Sequence, residues 1–135
     1  MRTYLVVCKD RDVFRTIQSS FIRGNIVNYA SSKDGALEIL KKKRCDFIFI
    51  DIEILKEVEA DNGFKTALKP FWLACPGSEV IVMSSQEMIR DAVMAVKAGA
   101  SNYLTYPINP EEVRYITESV YESQIGQSMT HRRFQ

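Results

Sequence analysis

Asp51 is the residue whose chemical type and position in the sequence most clearly indicate a site. It directly follows the apolar run formed by residues 47–50, which is typical of a strand buried on both faces. Open α/β sheets bind ligands outside the carboxyl ends of their strands, so a carboxylate at this tip is placed for chemistry. The alternative is that Asp51 only caps the loop expected after it, as carboxylates often do.

Polar residues also follow three other apolar runs, and they are the natural partners of Asp51. They are Cys8-Lys9-Asp10, Ser84-Ser85 and Thr105-Tyr106-Pro107. Other reactive residue types are scarce. The cysteines at 8, 45 and 75 lack metal or redox spacing and read as reduced thiols of a cytosolic protein. His131 is the only histidine, which argues against a histidine-based triad or metal cluster.

The elements that would position these residues alternate along the chain as five strand–helix units. Asp10 can cap the first helix, and Asn109-Pro110-Glu111-Glu112 is a strong start for the last one. Such units predict an α/β fold, a single doubly wound parallel sheet with helices on both faces. The predicted strands cover residues 4–7, 26–30, 47–51, 80–83 and 103–105.

The connections are less regular than the strands. Residues 52–62 are predicted to form an acidic loop, followed by a helix from about Gly63 that Pro70 kinks or shortens. From about Ser123 the sequence turns polar and loses its periodicity. Residues 123–135 therefore read as a polar tail or linker after a domain formed by residues 1–122.

Composition excludes several classes of protein. The chain has 135 residues, enough for one domain, with 18 basic against 17 acidic residues. That balance argues against a nucleic-acid surface. The run Lys41-Lys42-Lys43-Arg44 ends a predicted helix, where cations complement the helix dipole. No apolar stretch reaches the roughly 20 residues of a membrane span, and the start is not a signal peptide. A cytoplasmic protein is expected.

Over residues 3–122 the sequence resembles the CheY-like receiver domain of two-component response regulators. The resemblance is carried by Asp51, by Val80-Ile-Val-Met-Ser-Ser, and by the stretch from Ala92 to Pro107 with its Lys-Ala-Gly-Ala turn. The segment around Pro107 is most similar to receivers that precede AAA+ activators of sigma-54 promoters. The resemblance implies the five-stranded flavodoxin-like (βα)5 sheet and a regulatory module of a transcriptional regulator.

The resemblance also implies roles for four positions. Asp51 matches the phosphoacceptor aspartate of the family. Ser84 matches the hydroxyl that moves to bond the phosphoryl group, and Tyr103 matches the aromatic residue that swings inward with it. Pro107 matches a proline that usually follows a cis peptide bond.

Three further positions depart from the family pattern. The acidic pair that holds Mg²⁺ in receivers aligns with Cys8 and Lys9, and the lysine before the proline aligns with Tyr106. Mg²⁺ binding is therefore expected to be weak. The remaining candidate ligands are Asp10, Asp51 and the backbone carbonyl of Glu53.

The neighbours of Asp51 leave several alternatives. Lys9 is predicted to take the place of the metal and pair with Asp51, and Tyr106 to shield the pocket. Asp10 either caps the first helix or leans into the pocket. The loop after Asp51 is about four residues longer than usual, with Leu55 at the place of the customary proline. Its acids either approach the pocket or stay solvated: Glu53, Glu57, Glu59 and Asp61.

Two functions follow, neither of them an enzyme in the turnover sense. The first is a conventional receiver phosphorylated on Asp51 with Mg²⁺ by a sensor histidine kinase. The second, which we favour for the mechanism, is a degenerate receiver that regulates an attached or partner effector through its surface, as a homodimer formed by residues 86–122. A flavodoxin-type cofactor protein would need a Ser/Thr/Gly-rich loop after the first strand, which is absent.

Overall fold

The computed structural model describes residues 2–21, 24–57 and 63–133, with residues 124–133 as backbone only. Its centre is one five-stranded parallel sheet with strand order β2-β1-β3-β4-β5. Val7 pairs in register with Ile50, and Asp51 with Met83. The predicted doubly wound sheet is confirmed. The strands are β1 Thr3–Val7, β2 Ile26–Ala30, β3 Phe47–Asp51, β4 Glu79–Ser84 and β5 Asn102–Thr105.

The helices cover both faces of the sheet, because side chains alternate between the faces along each strand. Leu5 and Val7 belong to the core under α2 to α5, whereas Tyr4 and Val6 belong to the core under α1 and α6. A single 3₁₀ turn, Gln86–Met88, leads into α5. The helices are α1 Arg11–Ser19, α2 Lys33–Lys42, α3 Ile52–Lys56, α4 Gly63–Ala74, α5 Ile89–Lys97 and α6 Pro110–Arg133.

The segment after Asp51 differs from the prediction. Residues 52–56 form the short helix α3 and not a loop, because Ile52, Ile54 and Leu55 all find places in the core. Burial of these apolar side chains offsets the weak intrinsic stability of a single helical turn. Glu59 and Asp61 lie outside the described residues.

Two helices are longer than the sequence indicates. Helix α4 continues through Pro70 to Ala74, so the proline does not shorten it. Helix α6 continues to Arg133 and does not end near residue 122. The assignment of residues 123–135 as a polar tail or linker stays a prediction. In the part of the chain that the structure describes, no helix is both long and apolar enough to cross a membrane.

Arg2 fastens α6 to the start of the sheet. Its backbone N–H donates to Asn25 Oδ1 at 2.9 Å. Its guanidinium lies 4.5 Å from the ring centroid of Tyr121 and 3.6 Å from the Glu118 carboxylate. On the buried side of the same helix, Val113 packs into the core. The first three turns of α6 are therefore held from two directions.

Candidate functional site

Both carboxylate oxygens of Asp51 accept hydrogen bonds from groups of this chain. The backbone N–H of Glu53 donates to Oδ1 at 2.7 Å, which makes Asp51 the N-cap of α3. The hydroxyl of Tyr106 donates to Oδ2. Asp51 therefore lies at the strand tip and also caps the segment that follows. The interpretation as a site residue and the interpretation as a cap are compatible.

Tyr106 is a half-buried neutral donor to Asp51. Its backbone N–H donates to the carbonyl of Ser84 at 2.9 Å, which fixes the start of the turn after β5. The peptide bond to Pro107 is cis, as the resemblance implies. The pKa of the Tyr106 phenol is raised mainly by burial and also by the hydrogen bond to Asp51. The hydroxyl thus keeps its proton and donates it to the carboxylate in a hydrogen bond. The sequence led us to expect only that Tyr106 shields the pocket.

Cys8 is buried and cannot act as an anionic ligand. Its thiol donates to the carbonyl of Asp10 at 3.2 Å. Burial raises its pKa to about 11, so the thiol is protonated at neutral pH. A protonated thiol is a poor ligand for a hard cation such as Mg²⁺.

Lys9 does not pair with Asp51, so that prediction is wrong. Its ammonium lies 2.7 Å from the Glu57 carboxylate, and its side chain is 71% exposed. The cause is helix α3, because its end brings Glu57 beside the tip of β1 and offers the ammonium a solvated partner. A solvated pair avoids the desolvation that a contact with the half-buried Asp51 would require.

Asp10 caps the first helix. Its Oδ1 accepts from the backbone N–H of Asp12 at 2.9 Å, so the capping alternative is confirmed. The residue also lines a cleft of about 220 Å³ that contains Asp51 and Tyr106. Residues from three of the four strand tips that the sequence singled out, those of β1, β3 and β5, line this cleft.

The residues of this cleft do not fit Mg²⁺. Oδ1 of Asp10 and both oxygens of Asp51 already accept hydrogen bonds, and the carbonyl of Glu53 accepts from the N–H of Glu57 at 3.0 Å within α3. Within the described ranges, no group of three His, Cys, Asp or Glu residues is arranged to hold a metal ion. Mg²⁺ requires several oxygen ligands in near-octahedral geometry, and the cleft supplies no such set.

Ser84 and Tyr103 lie on the strands beside the cleft. Ser84 ends β4 with its side chain fully buried, and its hydroxyl has no hydrogen-bond partner among the described residues. Tyr103 is half-buried and packs against the core under α5. The switch roles implied for Ser84 and Tyr103 stay predictions.

The sequence did not reveal the contacts that link these tips. The bond between Tyr106 and Asp51 and the pair between Lys9 and Glu57 were both missed, as was an ion pair of 3.1 Å between Lys56 and Asp91 that joins α3 to α5. One signal was present. Tyr106 follows β5 at the same sheet edge as Asp51, and its side chain is long enough to reach across the tip of β4, which lies between β3 and β5.

A family model for the response regulator receiver domain matches residues 5–118. This chain belongs to the response-regulator receiver family. Among curated proteins, the receiver is 29% identical over 99 residues to the alginate biosynthesis transcriptional regulatory protein AlgB of Pseudomonas putida, covering 73% of this chain and 21% of AlgB. It is 28% identical over 115 residues to the transcriptional regulatory protein KdpE of Mycobacterium tuberculosis, covering 83% of this chain and 47% of KdpE. The receiver thus spans about a fifth to a half of these relatives.

Solved structures show the same fold. The REC domain of AraT from Geobacillus stearothermophilus superposes with a TM-score of 0.75 at 20% identity, covering 94% of this receiver and 98% of that chain. A response regulator from Burkholderia pseudomallei, solved with a phosphorylated aspartic acid, a calcium ion and citrate, superposes with a TM-score of 0.67 at 24% identity. That match covers 96% of this receiver and 75% of that chain.

Proposed function

We propose that this receiver is degenerate, that is, an interaction module that regulates an attached or partner effector without Mg²⁺-dependent phosphorylation of Asp51. The observation that carries the proposal is the hydrogen bond from Tyr106 to Asp51. It places a neutral phenol of the chain itself on the oxygen that would otherwise meet a cation or a phosphoryl group.

The electrostatics of the cleft support the same conclusion. Phosphoryl transfer to a carboxylate gathers negative oxygens in one place and needs cations to neutralise them. Here the ammonium of Lys9 bonds Glu57, the thiol of Cys8 is neutral, and the phenol of Tyr106 is neutral. Lys9 lines the cleft, but its ammonium is bonded to Glu57, and among the described residues no cation forms an ion pair with Asp51.

A Mg²⁺ titration tests the proposal, with the fluorescence of Trp72 and backbone amide shifts as readouts. We expect no saturation below the millimolar range, because carboxylate ligands are missing. Incubation with acetyl phosphate and Mg²⁺ should leave the mass of the protein unchanged. Saturation at tens of micromolar that disappears in Asp51→Asn would refute the proposal.

A gain-of-function variant makes the test two-sided. Cys8→Asp/Lys9→Asp/Tyr106→Lys restores the acidic pair and the lysine at the three departing positions. We expect this triple variant to bind Mg²⁺ and to gain mass with acetyl phosphate, and we expect Asp51→Asn in the same background to abolish the gain. If the triple variant folds and stays inert, the departures at these three positions are not what disables the site.

The second candidate function is a conventional receiver that accepts a phosphoryl group on Asp51 from a sensor histidine kinase. The fully buried hydroxyl of Ser84 favours it, because this hydroxyl has no hydrogen-bond partner among the described residues and could bond a phosphoryl oxygen. The same titration distinguishes the two functions. In either case we also propose that the receiver is part of a transcriptional regulator in the cytoplasm. We propose that it forms a homodimer through residues 86–122.

A further inference from the structure

A cleft of about 340 Å³ opens at the amino-terminal edge of the sheet, opposite the edge that carries Asp51. One wall is the segment of residues 41–44, four consecutive exposed cations at and after the end of α2. The other wall is formed by residues 74–76, which follow the end of α4. Both walls lead directly into strands, so their backbones are fixed by the sheet.

The floor of the cleft is apolar and its rim is basic. Leu40 and Cys75 are buried at its base. The guanidinium of Arg44 reaches toward the opposite wall, where it lies 3.9 Å from the position that a Cβ on Gly77 would occupy. The basic residues and the apolar floor thus line one shallow cleft that is open to solvent.

Helix capping accounts for only part of this charge. Lys41 and Lys42 lie in the last turn of α2, where cations complement the dipole. Lys41 also lies 3.2 Å from Glu38. Lys43 and Arg44 lie beyond the helix end. The backbone N–H of Lys43 donates to the carbonyl of Ile39 at 2.9 Å, but within the described part of the chain neither side chain has an acidic partner or donates a hydrogen bond to a carbonyl.

We propose that this cleft, here called the basic cleft, binds an acidic segment of a partner protein. Two or three carboxylates of such a segment would meet Lys42, Lys43 and Arg44, while an intervening apolar side chain would reach Leu40 and Cys75. Nucleic acid fits less well, because the cations occupy one corner of a chain with net charge +1 and none of the described residues that line the cleft is aromatic, as base stacking would require. The inference does not depend on the state of Asp51.

The test uses a blocked peptide of six glutamates as the probe and amide shifts of the whole chain as the readout. We expect saturable shifts confined to residues 41–44 and 74–77, and weaker binding as salt rises. Lys43→Glu/Arg44→Glu should weaken binding about tenfold or more, because two attractive contacts become repulsive.

The matched control is Lys65→Glu/Lys69→Glu on α4, where both lysines are exposed and neither lines the cleft. Each pair of reversals changes the net charge from +1 to −3, because every reversal subtracts two charges. We expect the control to bind within about twofold of the wild type, since binding that depends on local contacts responds little to distant charge.

Several results would overturn the proposal. Equal loss of binding in both charge-reversed variants would assign the effect to net charge alone. Tighter binding of an oligothymidylate or of phosphatidylserine vesicles through residues 41–44 would assign the cleft to nucleic acid or membrane. If the reversed variant does not fold, Lys43→Gln/Arg44→Gln removes the charge without repulsion, and unchanged binding there would equally reject the cleft.

Discussion

Tyr106 and a lysine at the same strand tip would act on Asp51 in different ways. An ammonium neutralises a carboxylate and can later attract a phosphoryl oxygen, whereas a phenol donates one hydrogen bond and adds no charge. The phenol also stays neutral, because burial and the bond to Asp51 both raise its pKa. In the proposed degenerate receiver, this hydrogen bond takes the place of the cation that a conventional receiver has at this position.

Removal of that contact should cost stability. We expect Tyr106→Phe to lower the free energy of unfolding by about 1–2 kcal/mol, because it removes a hydrogen bond to a charged, half-buried acceptor. Urea unfolding at neutral pH measures the change. The control is Tyr115→Phe, since Tyr115 is 74% exposed and should show no change. Equal stability of Tyr106→Phe and wild type would show that the bond contributes nothing.

Stability should also fall at alkaline pH. The pKa values of Cys8 and Cys45 are raised by burial from 9.0 to about 11. Above pH 9 the unfolded chain therefore loses these protons while the folded chain keeps them, which favours unfolding. The stability is complete below pH 9 and declines as pH rises through about 11. Urea unfolding between pH 8 and pH 11 measures the slope, and Cys45→Ala should reduce it. A flat profile would contradict the raised values.

The sequence identified the residues of the site better than their partners. Asp51, Asp10 and Tyr106 were placed at one sheet edge because the carboxyl ends of parallel strands must meet there. The direction of each side chain was not accessible in the same way. Lys9 has four rotatable bonds and could reach Asp51 or a solvated acid, and the decision depended on helix α3, which the sequence did not predict.

At the scale of elements, α3 shows why the local sequence misleads. Its acids and its short length indicate a loop, but the helix is stabilised by tertiary burial of Ile54 and Leu55. Periodicity was informative where a segment spans several turns, as in α2 and α6, and uninformative over five residues. The strands were predicted more closely, since continuous apolar runs leave few alternatives.

The junction between α4 and α5 is also decided by packing. Gly99, which follows α5, has φ +131°, and a Cβ there would lie 2.6 Å from Cη2 of the Trp72 ring on α4. Only glycine therefore allows the close approach of the two helices. The sequence predicted Gly99 as a helix end but gave no sign that an aromatic ring covers it.

A substitution at this junction should be severe. We expect Gly99→Ala to destabilise the receiver by at least about 2 kcal/mol, from backbone strain together with overpacking against Trp72. Gly24→Ala is the matched control, because Gly24 has φ +99° but no atom of the other described residues lies within 4 Å of its Cβ position, its chain neighbours aside. The emission of Trp72 should change only in Gly99→Ala. Equal costs for both variants would mean that the ring contact is not limiting.

At the scale of the whole molecule, the control of dimer formation depends on whether Asp51 can be phosphorylated. If Asp51 is not phosphorylated, a dimer through residues 86–122 should form equally with and without beryllofluoride plus Mg²⁺. Sedimentation at roughly 50 μM protein measures this, since dimer formation depends on protomer concentration. A monomer that dimerises only with beryllofluoride would contradict the degenerate receiver and support the conventional one.

The structure changes which charge should be used to probe that dimer. Arg114 donates to the carbonyl of Ser20 at 3.2 Å, so its reversal would disturb the contact between α1 and α6 within one chain. Arg90 is exposed on α5 and has no partner in the described part of the chain. We expect Arg90→Glu to weaken the dimer, and Lys65→Glu on α4, outside residues 86–122, to leave it intact.

Helix α6 gives the receiver a mechanical lever. Among the residues of α6 whose burial the structure describes, Val120 is the last buried one. The backbone of the helix continues for 13 more residues to Arg133, about 20 Å at 1.5 Å per residue. A tilt of about 10° at the first three turns would move the far end by about 3 Å. Under the proposed function, such a tilt would change the position of the helix end while the chemistry at Asp51 stays unchanged.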